Sequence, residues 1–370
     1  MINKTRSIII FNWRDPSDPL AGGAERVTLK HAQYWVAVGH QVTWVSGTFP
    51  GCKKEENKGK IRFIRLGSSR TLFLRAWWIF WIRLNGNFDV VIDEVHGLPM
   101  FSPLWSGDKK VITFIHEVAQ EIWAEMFAVP ISWLGQWFER WIFPRIYHST
   151  LFWVDCQSTL LDLVKIGIPM KRISVIPCAI DPVPNIPKQS KEKDLTLIFV
   201  ARLVKMKGIE FALQSFARIL QDEPKAKLWV VGGGSTEYLK TLHVICKKLN
   251  IIKQVRFYGL VEEKQKFILL AKAHFLIHTS IREGFGLTVL EANSQRTPAA
   301  VFDVPALRDL VNDQNGIIVP FEDTDQLARQ ILLLFQNDKR YGRIQKTAYT
   351  FSQQFRWSTF TQQSEALVKV

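Results

Sequence analysis

The sequence predicts an α/β protein of two Rossmann-like, doubly wound parallel-sheet domains facing across a cleft, and three observations carry that expectation. The chain has 370 residues, 47% of them hydrophobic, too many for one compact core and enough for two. Short apolar runs alternate with longer helical patterns along its length, as βαβ units require. The alternation pauses at Pro177, Pro182, Pro184 and Pro187 and the polar run Lys188 to Asp194, which reads as an interdomain linker. The expected division is residues 1–180, residues 181–350, and a closing helix within 351–370 that packs back on the first domain.

Before the linker the apolar runs that read as strands are Ser7 to Phe11, Gln41 to Val45, Ile61 to Arg65, Val90 to Ile92, Val111 to Phe114, Phe152 to Asp155 and Ile173 to Ile176. After it they are Leu195 to Val200, Lys227 to Val231, Val255 to Tyr258, Phe275 to His278, Ala299 to Phe302 and Ile317 to Val319. Ser7 to Phe11 is too short for a signal peptide or a spanning helix and reads as a first buried strand. The most apolar stretch, Leu72 to Ile82, is broken by Arg75 and closed by Arg83, so no bilayer crossing is expected.

A formal net charge of +14 favours polyanions, whether nucleic acid, anionic lipid or a phosphorylated ligand, and charge alone does not choose among them. The four cysteines, Cys52, Cys156, Cys178 and Cys246, form no Cys-x-x-Cys pair. Neither a zinc site nor a disulfide framework is indicated, and a reducing, cytoplasmic setting fits.

In open parallel sheets ligands bind beyond the carboxyl ends of strands, so the informative residues come directly after each run. Leu195 to Val200 is followed by Arg202 and by Lys207-Gly208, just ahead of an amphipathic pattern starting near Ile209. Two cations beside free backbone N–H groups make an anion site. Phe275 to His278 leads into Glu283-Gly284-Phe285-Gly286-Leu287-Thr288 and on to Glu291. The glycines allow a tight turn and close ligand approach, and a helix starting near Gly286 aims its N-terminus at whatever sits there. In the first half, Gly22-Gly23-Ala24-Glu25 precedes a helical pattern, and Val111 to Phe114 ends in Ile115-His116-Glu117. His116 is therefore expected at a carboxyl edge, facing the cleft. His274 and His278 bracket a strand rather than sharing a helix face, so both read as core or strand-edge histidines. Val231-Gly232-Gly233-Gly234 lacks the rest of a dinucleotide fingerprint and reads as a turn that lets a ligand approach.

Glu283 to Glu291, with its Gly-Phe-Gly-Leu interior, resembles the Glu-x7-Glu signature of retaining family-4 glycosyltransferases of the GT-B superfamily, the glycosyl transferases group 1. Arg202 and Lys207 sit where that family places its diphosphate-binding cations. The resemblance implies hexosyl transfer from a nucleotide-diphosphate sugar, without metal or separate cofactor, to a lipid-linked or polysaccharide-type acceptor. It implies that Glu283 contacts the donor sugar, Glu291 the ribose, Arg202, Lys207 and the Gly284 to Thr288 turn the diphosphate, and the turn at Gly259 the base. Gly22 and Gly23 correspond to the family's glycine-rich loop, and His116 to its histidine near the donor sugar. Where the family commonly shows Pro-Asn-Gly-x-Asp, this chain reads Pro177-Cys178-Ala179-Ile180-Asp181, which predicts an altered hinge.

Nine Lys or Arg between Lys53 and Arg83 face two Glu, a local excess of seven positive charges. Leu74, Trp77, Trp78 and Trp81 share one helical face. That composition fits a helix at an anionic headgroup boundary as well as one packed on the sheet with snorkelling arginines, and the sequence leaves both open. Trp133, Trp137 and Trp141 form a second stripe, suited to an apolar acceptor groove or to core. The expected setting is cytoplasmic, with peripheral contact at the inner face of the membrane. A sugar-nucleotide epimerase of the same architecture is the nearest rival. Nucleic acid is not expected as a partner, because no recognised module interleaves aromatics with the basic residues.

Overall fold

The computed structural model describes residues 5–96, 98–120, 123–124 and 127–369, and the chain forms two compact units. The first comprises Met1–Cys178 and Trp357–Val370, the second Ala179–Arg356.

The first unit holds an eight-stranded sheet in the order β3-β4-β2-β1-β5-β6-β7-β8. The strands are β1 (Ser7–Phe11), β2 (Gln41–Ser46), β3 (Glu55–Lys58), β4 (Ile61–Arg65), β5 (Val90–Val95), β6 (Lys110–Ile115), β7 (Leu151–Val154) and β8 (Ile173–Val175). All pairs are parallel except β3 with β4. Ile8, Ile9, Ile10 and Phe11 are fully buried, as a central strand covered on both faces must be. The edge strand β3 is not legible in the sequence. Its Glu-Glu-Asn-Lys run is exposed or half-buried throughout and so has no period-two hydrophobic signal. A two-residue turn creates it: Gly59 and Lys60 both take positive φ, 58° and 65°, the condition for a tight hairpin matching strand twist.

The helix Trp357–Lys369 belongs to this unit and lies on the helix Gly23–Ala37. The Ser364 hydroxyl stands 2.8 Å from His31 Nδ1 and accepts from Trp35 Nε1 at 3.1 Å. Lys110 Nζ donates to the Leu367 carbonyl at 2.6 Å. His31 is wholly buried. Burial, with the nearby positive His116, pushes its imidazole down to about 3, so it is neutral where it meets Ser364.

The second unit holds six parallel strands in the order β11-β10-β9-β12-β13-β14. They are β9 (Thr196–Val200), β10 (Lys227–Val231), β11 (Val255–Gly259), β12 (Phe275–His278), β13 (Ala299–Phe302) and β14 (Gly316–Val319). The chain winds outward from β9 to β11 and then returns to the far side of β9 as β12. That reversal makes the gap between the carboxyl ends of β9 and β12 the topological switch point, where such sheets bind ligands. At the junction, Ala179 is not among the residues of positive φ, so the alanine introduces no left-handed strain there. No helix of the described residues is long and apolar enough to cross a membrane.

Candidate functional site

Two loops meet at the switch point of the second unit. After β9 the chain runs through Arg202 to a short 3-10 turn, Lys205–Lys207, and enters the helix Ile209–Asp222 through Gly208. Gly208 has φ 62°, and a Cβ there would stand 2.0 Å from the Thr279 carbonyl oxygen; only glycine fits. Thr279 Oγ1 donates to the Gly208 carbonyl at 2.7 Å, and the Ile281 amide donates to the Met206 carbonyl at 3.0 Å. The turn after β9 is thereby locked to the loop after β12.

That lock sets Lys207 Nζ 2.8 Å from Glu283 Oε2, both side chains mostly buried. His278 Nε2 approaches the same oxygen at 3.0 Å and Ser280 Oγ at 3.4 Å. Burial alone would raise the Glu283 pKa, but the Lys207 ammonium and His278 outweigh it and hold the carboxyl well below the usual carboxylate range. On its other side His278 places Nδ1 3.3 Å from Thr288 Oγ1. Gly286, at φ 96°, opens the helix Leu287–Ser294. From that helix Glu291 receives Lys266 Nζ at 2.8 Å. Each glutamate of the pair therefore has its own lysine.

Arg202 is exposed in the turn after β9, and Gly284 is half-buried between Glu283 and Gly286. Phe285 turns its ring inward, 6.0 Å from Phe355, so what it can offer a ligand is backbone. Leu287 and Thr288 form the first turn of the helix. Gly259, φ 68°, closes the edge strand β11, with β10 and β9 between it and β12. Gly232 and Gly234 have a packing reason: a Cβ on them would meet the carbonyl oxygens of Ala201 and Leu203 at 1.8 and 2.5 Å. Those two glycines let the turn after β10 press against the turn after β9.

In the first unit the carboxyl ends of β5, β6 and β7 gather a second cluster. His116 Nδ1 bonds Asp155, and its Nε2 lies 3.2 Å from Glu94 Oε1. His96 Nε2 meets the same Glu94 oxygen at 3.0 Å, with the Trp13 ring stacked on the His96 ring. Burial would lower the His116 pKa, but Asp155 and Glu94 raise it to about 10; burial would raise Glu94, which His116 and His96 bring down to about 2. His116 thus lies between two carboxyl groups that favour its protonated form. Both ring nitrogens of His116 are engaged, a partnership the sequence does not reveal. Glu94, His96 and His116 offer donor atoms within 4.8 Å of one another, a set that could hold a divalent ion only by displacing the protons that now join them.

Gly22 and Gly23 stand at the start of the helix Gly23–Ala37. Glu25, buried, accepts the Gly22 amide at 2.7 Å and Trp13 Nε1 at 3.1 Å, which ties the glycine loop to the tryptophan stacked on His96.

Sequence reasoning misses His278, Glu94, His96 and Asp155. Three of the four end or directly follow a strand, so the carboxyl-end rule that singles out His116 would have reached them. His278, expected at the core or a strand edge, does more than pack. Its ring is buried, and both nitrogens face polar atoms of the Glu283 to Thr288 segment. His274 does fit a core role: its Nδ1 accepts the Thr196 amide at 3.0 Å.

A doubly wound sheet that concentrates cations, glycines and carboxylates at its switch point belongs to the class of α/β folds that bind ligands there. Comparison with known proteins makes this specific. Residues 184–351 match glycosyl transferases group 1, and residues 21–183 match glycosyltransferase family 4. Each match takes just under half of the chain, together they span residues 21–351, and the fold is that of the GT-B glycosyltransferases. Among curated relatives, the putative glycosyltransferase EpsD of Bacillus subtilis is 29% identical over 168 residues, 44% of this chain and 43% of EpsD. The chain spans about half the length of the curated relatives it matches. Among solved structures, Anabaena HepE in complex with UDP-glucose matches with a TM-score of 0.78 at 17% identity, covering 99% of this chain and 100% of that one. WaaG, a glycosyltransferase involved in lipopolysaccharide biosynthesis, matches at 0.74 and 17% identity, covering 98% and 99%.

Proposed function

We propose that the protein is a metal-independent glycosyltransferase that moves a hexosyl unit from a nucleotide-diphosphate sugar to a lipid-linked or polysaccharide-type acceptor, with retention at the anomeric carbon. The observation that carries the reading is the Lys207–Glu283–His278 group at the switch point between β9 and β12, beside the N-terminus of the helix Leu287–Ser294. Arg202, Lys207 and the first-turn amides of that helix supply countercharge to the leaving diphosphate. Glu283, kept ionised, accepts hydroxyls of the donor sugar, and Glu291 those of the ribose. The backbone of Gly284 to Leu287 and the Thr288 hydroxyl line the phosphates, Gly259 flanks the base, and Gly22 and Gly23 complete the donor contacts. In the reaction the bond from the anomeric carbon to the phosphate oxygen breaks and the bond to the acceptor oxygen forms on the same face. The acceptor proton passes to the departing phosphate.

His116 is assigned to orient the transferred sugar, Nε2 exchanging Glu94 for a sugar hydroxyl while Asp155 fixes the ring through Nδ1. Glu94, whose carboxyl His116 and His96 hold below the usual range, favours positive character at the anomeric carbon. A cytoplasmic setting belongs to the same reading and is supported by four free cysteines, three of them buried. HepE was solved with UDP-glucose and WaaG acts in lipopolysaccharide biosynthesis; both support the donor and acceptor classes proposed.

The test is a panel of nucleotide sugars, scored for thermal stabilisation and for release of nucleoside diphosphate with and without glycolipid acceptors, in the presence of a chelator. One donor stabilising the chain, with acceptor-dependent release, supports the reading. Conversion of a nucleotide sugar to its epimer with no acceptor present would replace it.

A further inference from the structure

We propose that the first unit docks on an anionic lipid bilayer through two rows of exposed tryptophans flanked by unpaired basic residues. This rests on the geometry of that unit alone and holds or fails separately from the donor chemistry.

The first row lies on the helical segment Ala76–Trp78, continued as a π-helical turn over Ile79–Arg83. Its inner face is committed to the core, with Leu72, Ala76, Ile79 and Phe80 fully buried. Its outer face presents Trp77 and Trp78, with Trp81 at its margin, where the indole N–H donates to the Trp105 carbonyl and the ring packs 5.1 Å from Phe80. The packed reading of this segment holds for its inner face, and the outer face leaves room for the membrane reading. The second row, Trp133, Trp137 and Trp141, lies on the helical run from Ile131–Trp137 through Phe138–Ile142, which continues as Phe143–Tyr147; there Phe143 and Tyr147 turn inward. Phe101 stands 6.1 Å from Phe73, in the 3-10 helix Ser69–Leu74 that precedes the first row, and 5.8 Å from Phe138 in the second run.

These six tryptophans are between 37% and 66% exposed. Six of the fourteen tryptophans in the chain thus stand partly exposed on one unit, and clustered exposed aromatics mark interaction sites. The surrounding charge selects the occupant. Arg140 and Arg145 each place a guanidinium 5.6 Å from the Trp141 ring, the pairing of aromatic and snorkelling cation suited to the headgroup boundary. At the other end Arg83 pairs with Glu55 of the β3–β4 hairpin, which brings that hairpin alongside the first row. Glu55 and Glu56 are both occupied by arginines. Lys53, Lys54, Lys58 and Lys60 are exposed on the same hairpin, and among the described residues none pairs with a carboxylate. Aromatic rows bordered by unneutralised lysines complement an anionic headgroup layer.

The experiment is sedimentation of the full chain with vesicles of phosphatidylcholine alone or mixed with phosphatidylglycerol, read together with quenching of tryptophan fluorescence by brominated acyl chains. Binding to the mixed vesicles with quenching, weakened by salt, is expected. Trp133→Ser/Trp137→Ser/Trp141→Ser and Trp77→Ser/Trp78→Ser should each weaken partition by about tenfold or more while keeping the melting temperature. Lys54→Gln/Lys58→Gln/Lys60→Gln should remove the preference for phosphatidylglycerol. Three results would overturn the proposal: no vesicle binding, binding without quenching, or a dimer that the tryptophan substitutions dissociate.

Discussion

Lys207 and Glu283, 76 residues apart in the chain, meet at 2.8 Å because Thr279 and Gly208 lock their two loops together. The pair is poised for a competing anion. In the proposed reaction a diphosphate arriving beside Lys207 would exchange one negative partner for another, and Glu283, still opposed by His278, would turn its carboxylate to sugar hydroxyls.

Glu283→Gln and Lys207→Ala should each lower kcat/KM by about 10²–10³ or more, the scale of losing one preorganised electrostatic group. Release of nucleoside diphosphate measures the loss, and thermal melting checks that the fold survives. Near-normal turnover in either variant would remove the site.

His278→Leu should shift the acid limb of the pH profile for kcat/KM. Glu283 has a folded pKa well below its ordinary value because Lys207 and His278 outweigh the effect of burial. Deleting one of those groups raises it, so the carboxylate is lost at a higher pH than in the unsubstituted protein. An acid limb that does not move would make His278 a packing residue.

Gly208→Ala should be costly and Gly342→Ala mildly favourable. At Gly208 the added Cβ meets the Thr279 carbonyl at 2.0 Å on a left-handed backbone, a loss of about 2–4 kcal/mol, with activity falling as Lys207 leaves Glu283. Gly342 lies inside the helix Asp338–Ser352 with nothing within 4 Å of its Cβ position, so alanine should add about 0.5–1 kcal/mol. Denaturant midpoints for the two variants read both effects.

The stability of the first unit should peak near pH 6.5. His31 falls from 6.5 to about 3 on folding, so its contribution is complete above 6.5 and is lost as pH drops toward 3. His116 rises from 6.5 to about 10, so its contribution is complete below 6.5 and is lost as pH climbs through 10. Melting temperatures across this range test the two limbs, and proteolysis of the helix Trp357–Lys369, which meets His31 through Ser364, should accelerate on the acid side. A flat profile between pH 4.5 and 9 would show that neither histidine is coupled to folding.

The strands legible in the sequence are those whose own residues carry the signal. β1, with three isoleucines, and β9, with five buried positions, declare themselves because a central parallel strand is apolar on both sides. β3 does not, since a polar edge strand exists only through its partner β4. The same division runs through the site. Arg202, Lys207, Glu283 and Glu291 are found by position after a strand, whereas His278 is passed over because its partners, Glu283 and Thr288, reach it only when the loop folds back. His116 is found, but Asp155 and Glu94, which occupy both its nitrogens, come from separate strands.

From the sequence alone came the class of fold, the winding of each sheet, and the residues that fall at strand ends, because those depend on periodicity and on the few positions just past a buried run. Tertiary structure decided that Lys207 faces Glu283, that His116 lies between Asp155 and Glu94, and that Trp77 and Trp78 are exposed on a helix whose other face is core. Each of these depends on groups far apart in the chain being brought within a few ångströms, where burial and charge set their state. A local pattern of residues does not encode those distances.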